Sequence, residues 1–190
     1  PKLCKHLHLP VQCGSDRILR AMNRGYTRER YLEVVDRLRR VCPEIRLTTD
    51  IIVGFPGEND ADFAETMSLL EEVRFAELYS FIFSPRKGTS AADLEDETPA
   101  EVKQVRFDRM LAMQQDISRE IWHKDVGAVL EVVVEGESRR GEGQIFGRTT
   151  WNRIVNFNGP NELSGRIVPV KITKSYRNSL LGELSEHAGR

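Results

Sequence analysis

Residues Leu47 to Glu58, LTTDIIVGFPGE, set one carboxylate, Asp50, inside an apolar stretch that runs into a Gly-Phe-Pro-Gly-Glu turn. A carboxylate in such a strand is costly to bury unless its oxygens are satisfied. Gly54 and Gly57 leave room for a ligand to approach the backbone, and Pro56 stiffens the turn. α/β proteins build small-molecule sites in this way, at the carboxyl end of a strand. The plainer alternative is a helix N-terminus with a chance acidic residue. His6 and His8 alternate on an earlier strand, where packing or capping is favoured over metal ligation. The cysteines, Cys4, Cys13 and Cys42, contain no CxxC or CxxxCxxC spacing. No metal ligand is therefore expected among them, and Cys13 reads as a small residue packed by a turn. Their odd number argues against a disulfide framework and for a reducing compartment.

The elements that position these residues change character along the chain. Up to residue 122, strands alternate with helices. Leu7 to Val11, Leu47 to Val53 and Leu78 to Phe83 read as strands. Thr27 can cap a helix whose apolar face is Tyr31, Val34, Val35, Leu38 and Val41, and Phe63, Met67, Leu70 and Val73 mark the next helix. Gly88 to Glu97 reads as a loop. Thr98-Pro99-Ala100-Glu101 then opens a helix that runs to about Trp122. This order implies parallel strands with right-handed crossovers. From residue 123 the pattern is all β. Val129 to Val134, Gln144 to Arg148, Arg153 to Phe157, Arg166 to Thr173 and Ser179 to Leu184 are five short strands, and Asn158-Gly159 is a turn signal. Five such strands suggest a small OB-like barrel.

Charge changes at the same place. Residues 1–122 carry 18 Lys and Arg against 21 Asp and Glu, while residues 123–190 carry 10 against 8. Between Arg139 and Arg177, eight basic residues (Arg139, Arg140, Arg148, Arg153, Arg166, Lys171, Lys174, Arg177) face two acidic ones, Glu142 and Glu162. Such a local excess suits a polyanion or forms an ordinary solvated face. No apolar run approaches the roughly 20 residues that span a bilayer, and a cytoplasmic location is expected.

Several blocks of the chain resemble one family. HLHLPVQCGSD (His6–Asp16), AMNRGYTRE (Ala21–Glu29), TTDIIVGFPGE (Thr48–Glu58) and FSPRKGTSAA (Phe83–Ala92) are similar to successive motifs of the radical-SAM methylthiotransferases. GRTTWNRIVNFNG (Gly147–Gly159) and ITKSYRNSLLGEL (Ile172–Leu184) resemble their TRAM domain, closest to the branch that makes 2-methylthioadenosine in tRNA. The resemblance implies an α/β partial (βα) barrel half of the radical-SAM type over 1–122, followed by a TRAM RNA-binding domain over 123–190. It also implies a larger protein. A further N-terminal domain and the CxxxCxxC loop that holds a [4Fe-4S] cluster would lie upstream of Pro1. By the same resemblance the half-barrel should leave an unpaired edge at Leu7 to Val11, and this chain alone should be inactive. Cys13 stands where the family usually has serine.

The resemblance also assigns roles. Gln12 and Asp50 would hydrogen-bond the ribose hydroxyls of S-adenosyl-L-methionine, a carboxylate being able to accept from two hydroxyls at once. Arg24 would meet the methionyl carboxylate with its planar fork. The backbone near Phe83 and Ser84 would pack against the adenine. Arg86 and Lys87 either approach substrate phosphate or are solvated. In the barrel, Arg148 and Arg153 bracket the TTWN turn, from which their side chains are expected to reach outward. Trp151 between them offers a base-stacking face or plugs one end of the barrel. Lys171 and Lys174 would extend the same RNA-binding surface. No metal site is expected within the chain, and the catalytic residues are left open.

The implied activity is radical chemistry that inserts sulfur, then a methyl group, into isopentenyladenosine beside the anticodon. Its partners would be a tRNA anticodon stem-loop and an electron donor such as flavodoxin. Two alternatives stay open: a ribosomal-protein methylthiotransferase of the same family, and a non-catalytic RNA-binding module. The basic NRIVNF stretch favours tRNA.

Overall fold

The computed structural model describes residues 3–138 and 143–185. They form two compact units. One is Leu7–Ile117; the other runs from Ser118 onward and includes the described residues before Leu7.

The first unit is built on a three-stranded sheet of order β1 (His6–His8), β2 (Arg46–Val53) and β3 (Glu77–Ile82). β2 and β3 are parallel, with Asp50 opposite Tyr79 and Ile52 opposite Phe81. The linking helices are α2 (Arg28–Val41), capped by the Thr27 side chain, and α3 (Asp60–Val73). α3 opens with a capping box, in which Asn59 and Asp62 exchange side-chain-to-backbone bonds. Period 2 on β2 divides its side chains. Leu47, Thr49, Ile51 and Val53 are buried. Leu47, Ile51 and Val53 join Tyr31, Val35, Phe63, Met67, Leu70 and Met110 in one core cluster. Each large apolar side chain buried there contributes about 1.5–3 kcal/mol. α4 (Ala100–His123) supplies Met110.

Two sequence expectations change here. A six-residue helix, α1 (Asp16–Ala21), was not foreseen. Val41 was placed on the buried face of α2 but is 87% exposed, because it is the last helical residue.

The second unit contains a closed five-stranded barrel of order β4 (Val129–Glu137), β5 (Gln144–Thr149), β6 (Ile154–Asn158), β8 (Leu180–Leu184) and β7 (Ile167–Ser175). β6 and β8 are parallel, while the other pairs are antiparallel. Val132, Val134, Ile145, Val155, Phe157, Val170, Ile172 and Leu180 fill the interior. Closure brings strands so near at Gly147 that a Cβ there would lie 2.2 Å from the Val133 carbonyl oxygen. Arg139, Arg140 and Glu142, part of the basic stretch read from the sequence, lie outside the described residues.

Candidate functional site

In the first unit the helices cover one face of the sheet, and the opposite face carries Thr48, Asp50 and Ile52 of β2 with Tyr79 and Phe81 of β3. Tyr79 and Phe81 are 53% and 54% exposed. Their apolar rings on an open sheet face mark a surface built to be covered, and the sequence reading missed both. Their spacing of two along Glu77–Ile82, which sets both rings on one face of the strand, was the available signal. Asp50 is half-buried. His8 lies beside it, with Nε2 3.3 Å from Asp50 Oδ1.

Gln12 sits next to β2. Its N–H donates to the Asp50 carbonyl and its own carbonyl accepts from Ile52 N–H, both at 2.9 Å. Gln12 is buried and has φ +74°, the left-handed region that a side chain of this type rarely adopts. Such strain persists where the surroundings impose it and is concentrated at functional sites. Phe83 N–H donates to the Val53 carbonyl at 2.8 Å, and the Phe83 ring meets Phe55 edge-on at 5.1 Å. Ser84 follows, exposed. Gln12, Phe83 and Ser84 therefore gather at the carboxyl end of the sheet, with Asp50 farther down its open face. Arg24 lies in the turn after α1, exposed, its N–H bonded to the Leu19 carbonyl at 2.9 Å. Arg86 and Lys87 are exposed in the loop after β3.

The glycine turn serves a different purpose from the one the sequence suggested. Gly54 and Gly57 have φ +72° and +82°, so the turn needs them conformationally. The space beside Gly54 is not left for a ligand, however. The Lys103 methylenes fill it, 2.6 Å from where a Cβ would stand. α4 fixes this turn again through Arg106. Lys103 pairs with Asp96, and buried Arg106 donates to the Glu58 carbonyl at 3.0 Å and lies 3.3 Å from its carboxylate. Glu58 Oε2 accepts the Gly54 N–H at 2.8 Å. Burial raises the Glu58 pKa despite that bond and the Arg106 charge.

Below the turn, Cys13 is fully buried, its sulfur 3.4 Å from the Thr66 hydroxyl. Burial pushes its thiol up to about 11. The neighbouring Asp62 is also desolvated, yet Arg17, the Asn59 N–H and Ser15 hold its carboxyl below the usual range. Cys13 is expected to resist iodoacetamide at pH 8 while exposed Cys4 reacts, as read by intact-protein and peptide mass spectrometry. Equal rates at the two cysteines would contradict the buried thiol.

On the barrel, the sequence-predicted basic face is divided. Arg148 projects from β5, paired with Glu135 at 3.0 Å and bonded to Asn152 Oδ1 at 3.1 Å. Lys171 is exposed on β7, opposite Glu183. Lys174 is exposed past a register shift, 5.0 Å from the Tyr176 ring centroid. Trp151 is half-buried in the turn between β5 and β6, where Asn152 takes the left-handed φ of +63°. Arg153 corrects the outward expectation. It is 3% exposed, its guanidinium lies 4.4 Å from the Trp122 ring centroid, and Nη2 donates to the Tyr176 and Arg177 carbonyls at 2.9 and 2.6 Å. Its side chain turns inward, over Trp122 and onto the carbonyls of the turn that follows β7. Arg153 is therefore withdrawn from the RNA-facing set.

Among the described residues, no group of three or more His, Cys, Asp or Glu side chains could hold a metal ion. No helix among them is long and apolar enough to cross a membrane. The Radical SAM superfamily model matches residues 2–70, and the TRAM domain model matches residues 123–185. The tRNA-2-methylthio-N(6)-dimethylallyladenosine synthase of Syntrophotalea carbinolica is 66% identical over 182 residues, covering 96% of this chain and 42% of the relative. The enzyme of the same name from Geotalea uraniireducens is 53% identical over 184 residues, covering 97% and 42%. The chain thus spans 42% of the length of these relatives. Among solved structures, coproporphyrinogen III oxidase (HemN) from Escherichia coli, described as a Radical SAM enzyme, aligns with TM-score 0.52 at 13% identity. That alignment covers 93% of this chain and 44% of the other, a likeness of fold alone. Two family models thus match in order along the sequence, and nearly the whole chain is similar at such identity to tRNA-2-methylthio-N(6)-dimethylallyladenosine synthases, in line with the resemblance to the radical-SAM methylthiotransferases.

Proposed function

We propose that this chain supplies cofactor and RNA contacts to a tRNA methylthiotransferase acting on dimethylallyladenosine beside the anticodon. The observation that carries the reading is the convergence of Gln12, Phe83 and Ser84 at the carboxyl end of one parallel sheet whose open face bears Asp50. The sheet with helices on one face is read as half of a partial (βα) barrel, and 1–122 and 123–190 as its two domains.

The residues fit S-adenosylmethionine on their own chemistry. Asp50 keeps a carboxylate 29% exposed on the open face, able to accept from a diol. Gln12 is held rigidly next to it by two backbone bonds. Arg24, exposed on a fixed turn, offers a fork for a carboxylate. Phe83 and Ser84 provide the backbone edge for an adenine ring. When bound, S-adenosylmethionine supplies the radical that activates the adenine C–H and the methyl group that completes the product. This chain's part is to bind and orient the cofactor and to exclude water with the aromatic face of Tyr79 and Phe81. Cluster ligands are not assigned to this chain. A flavodoxin-type electron donor and a cytoplasmic setting complete the reading.

On the barrel, the RNA contacts proposed are Arg148, Trp151, Lys171 and Lys174. Arg148 and Lys171 share one outward face, since Arg148 pairs across from Val133 and Lys171 from Val129 on β4. If Lys171 and Lys174 touch phosphates, the Lys171→Gln, Lys174→Gln variant of the complete protein binds an anticodon stem-loop more weakly. Its plot of log affinity against log salt should then be flatter by about two units. Filter binding at two salt concentrations reads this. An unchanged slope would remove the proposed phosphate contacts.

A further inference from the structure

His8 is held on three sides. Nε2 is 3.3 Å from Asp50 Oδ1, Nδ1 is 3.0 Å from Thr48 Oγ1, and the ring meets Tyr79 edge-on with centroids 5.4 Å apart at 81°. Packing against Tyr79 alone would require neither polar contact. One proton assignment satisfies both: the Thr48 hydroxyl donates to Nδ1, and Nε2–H donates to Asp50 Oδ1. Among the described residues, His8 is the side-chain partner of Asp50.

We infer that His8 is a positioning residue for the cofactor. It fixes the Asp50 carboxylate through Oδ1 and so presents Oδ2 to the ribose hydroxyls. A carboxylate tethered at one oxygen has lost its rotation before the ligand arrives, so binding pays less ordering entropy. Thr48 sets the ring's tautomer, in the way that outer partners orient ligating histidines at metal sites. The inference rests on the reading of Asp50 as the ribose acceptor.

The test is calorimetric titration of the complete, anaerobically reconstituted protein with S-adenosylmethionine, in a double-mutant cycle. His8→Phe keeps the ring and its edge contact but removes both nitrogens. It should weaken binding about tenfold, the worth of about one hydrogen bond, while His8→Gln, which retains an N–H donor, recovers most of the affinity. In an Asp50→Asn background, His8→Phe should cause no further loss. Thr48→Val, which leaves His8 in place, should weaken binding about threefold and serves if His8→Phe melts early. Wild-type affinity in both His8→Phe and Thr48→Val, or an equal His8→Phe loss in both backgrounds, would overturn the positioning role while leaving Asp50 its own. Wild-type affinity in Asp50→Asn would overturn the ribose assignment itself, and the positioning role with it.

Discussion

Arg153→Ala is expected to destabilise the barrel by about 4 kcal/mol. The Tyr176 and Arg177 carbonyls would each lose their Nη2 donor, a bond from a charged group worth roughly 1.5–3 kcal/mol and here near the low end because both residues are exposed. The contact over Trp122, which adds roughly 0.5–2 kcal/mol, would go as well. Arg153→Lys should recover little, since one ammonium cannot span both carbonyls and lie flat on an indole ring. Urea unfolding followed by circular dichroism and Trp fluorescence measures the loss. An unfolding free energy within about 0.5 kcal/mol of wild type would mean that Arg153 acts as a surface residue, and would return it to the candidates for RNA contact.

Arg24→Ala is expected to weaken S-adenosylmethionine binding by the complete protein by about 3 kcal/mol while leaving its fold intact. The turn is built by backbone bonds, Met22 N–H to the Ile18 carbonyl and Arg24 N–H to the Leu19 carbonyl, and the Arg24 side chain is exposed. Its loss should therefore barely move the melting temperature. The cost falls on the ligand, whose carboxylate would lose a charge-assisted fork. Lysine in its place should restore only part, because a point charge lacks the second parallel N–H. Calorimetric affinity within twofold of wild type would mean that the methionyl carboxylate is held elsewhere.

What could be read from the sequence followed from periodicity. Phe63, Met67, Leu70 and Val73 are all buried because their 3–4 spacing leaves one face to bury. The five barrel strands fall where β-branched runs met Gly and Asn. The rest depended on contacts between segments distant in sequence. α1 escaped notice because its two core residues, Ile18 and Leu19, are adjacent and show no period. Gly54 looked like space for a ligand because nothing local shows that Lys103 fills that space. Arg153 looked outward because turn-flanking residues usually point that way, and only the tertiary fold brings Trp122 of α4 and the turn after β7 to it. Asp50 drew attention as a lone charge in an apolar strand. Its partner His8 is on a different strand, and pairing across a sheet is not written in either segment alone.

The central claim is that Asp50 and its neighbours serve methylthiolation of tRNA. It is tested most directly in cells lacking the gene that encodes this chain, complemented with wild type or with Asp50→Ala. Nucleosides from total tRNA are digested and measured by mass spectrometry. Wild type should convert dimethylallyladenosine to its 2-methylthio form, whereas Asp50→Ala should leave the unmodified precursor accumulated at wild-type protein levels. A full complement of 2-methylthio-dimethylallyladenosine in the gene-deleted cells, or in those carrying Asp50→Ala, would contradict the account.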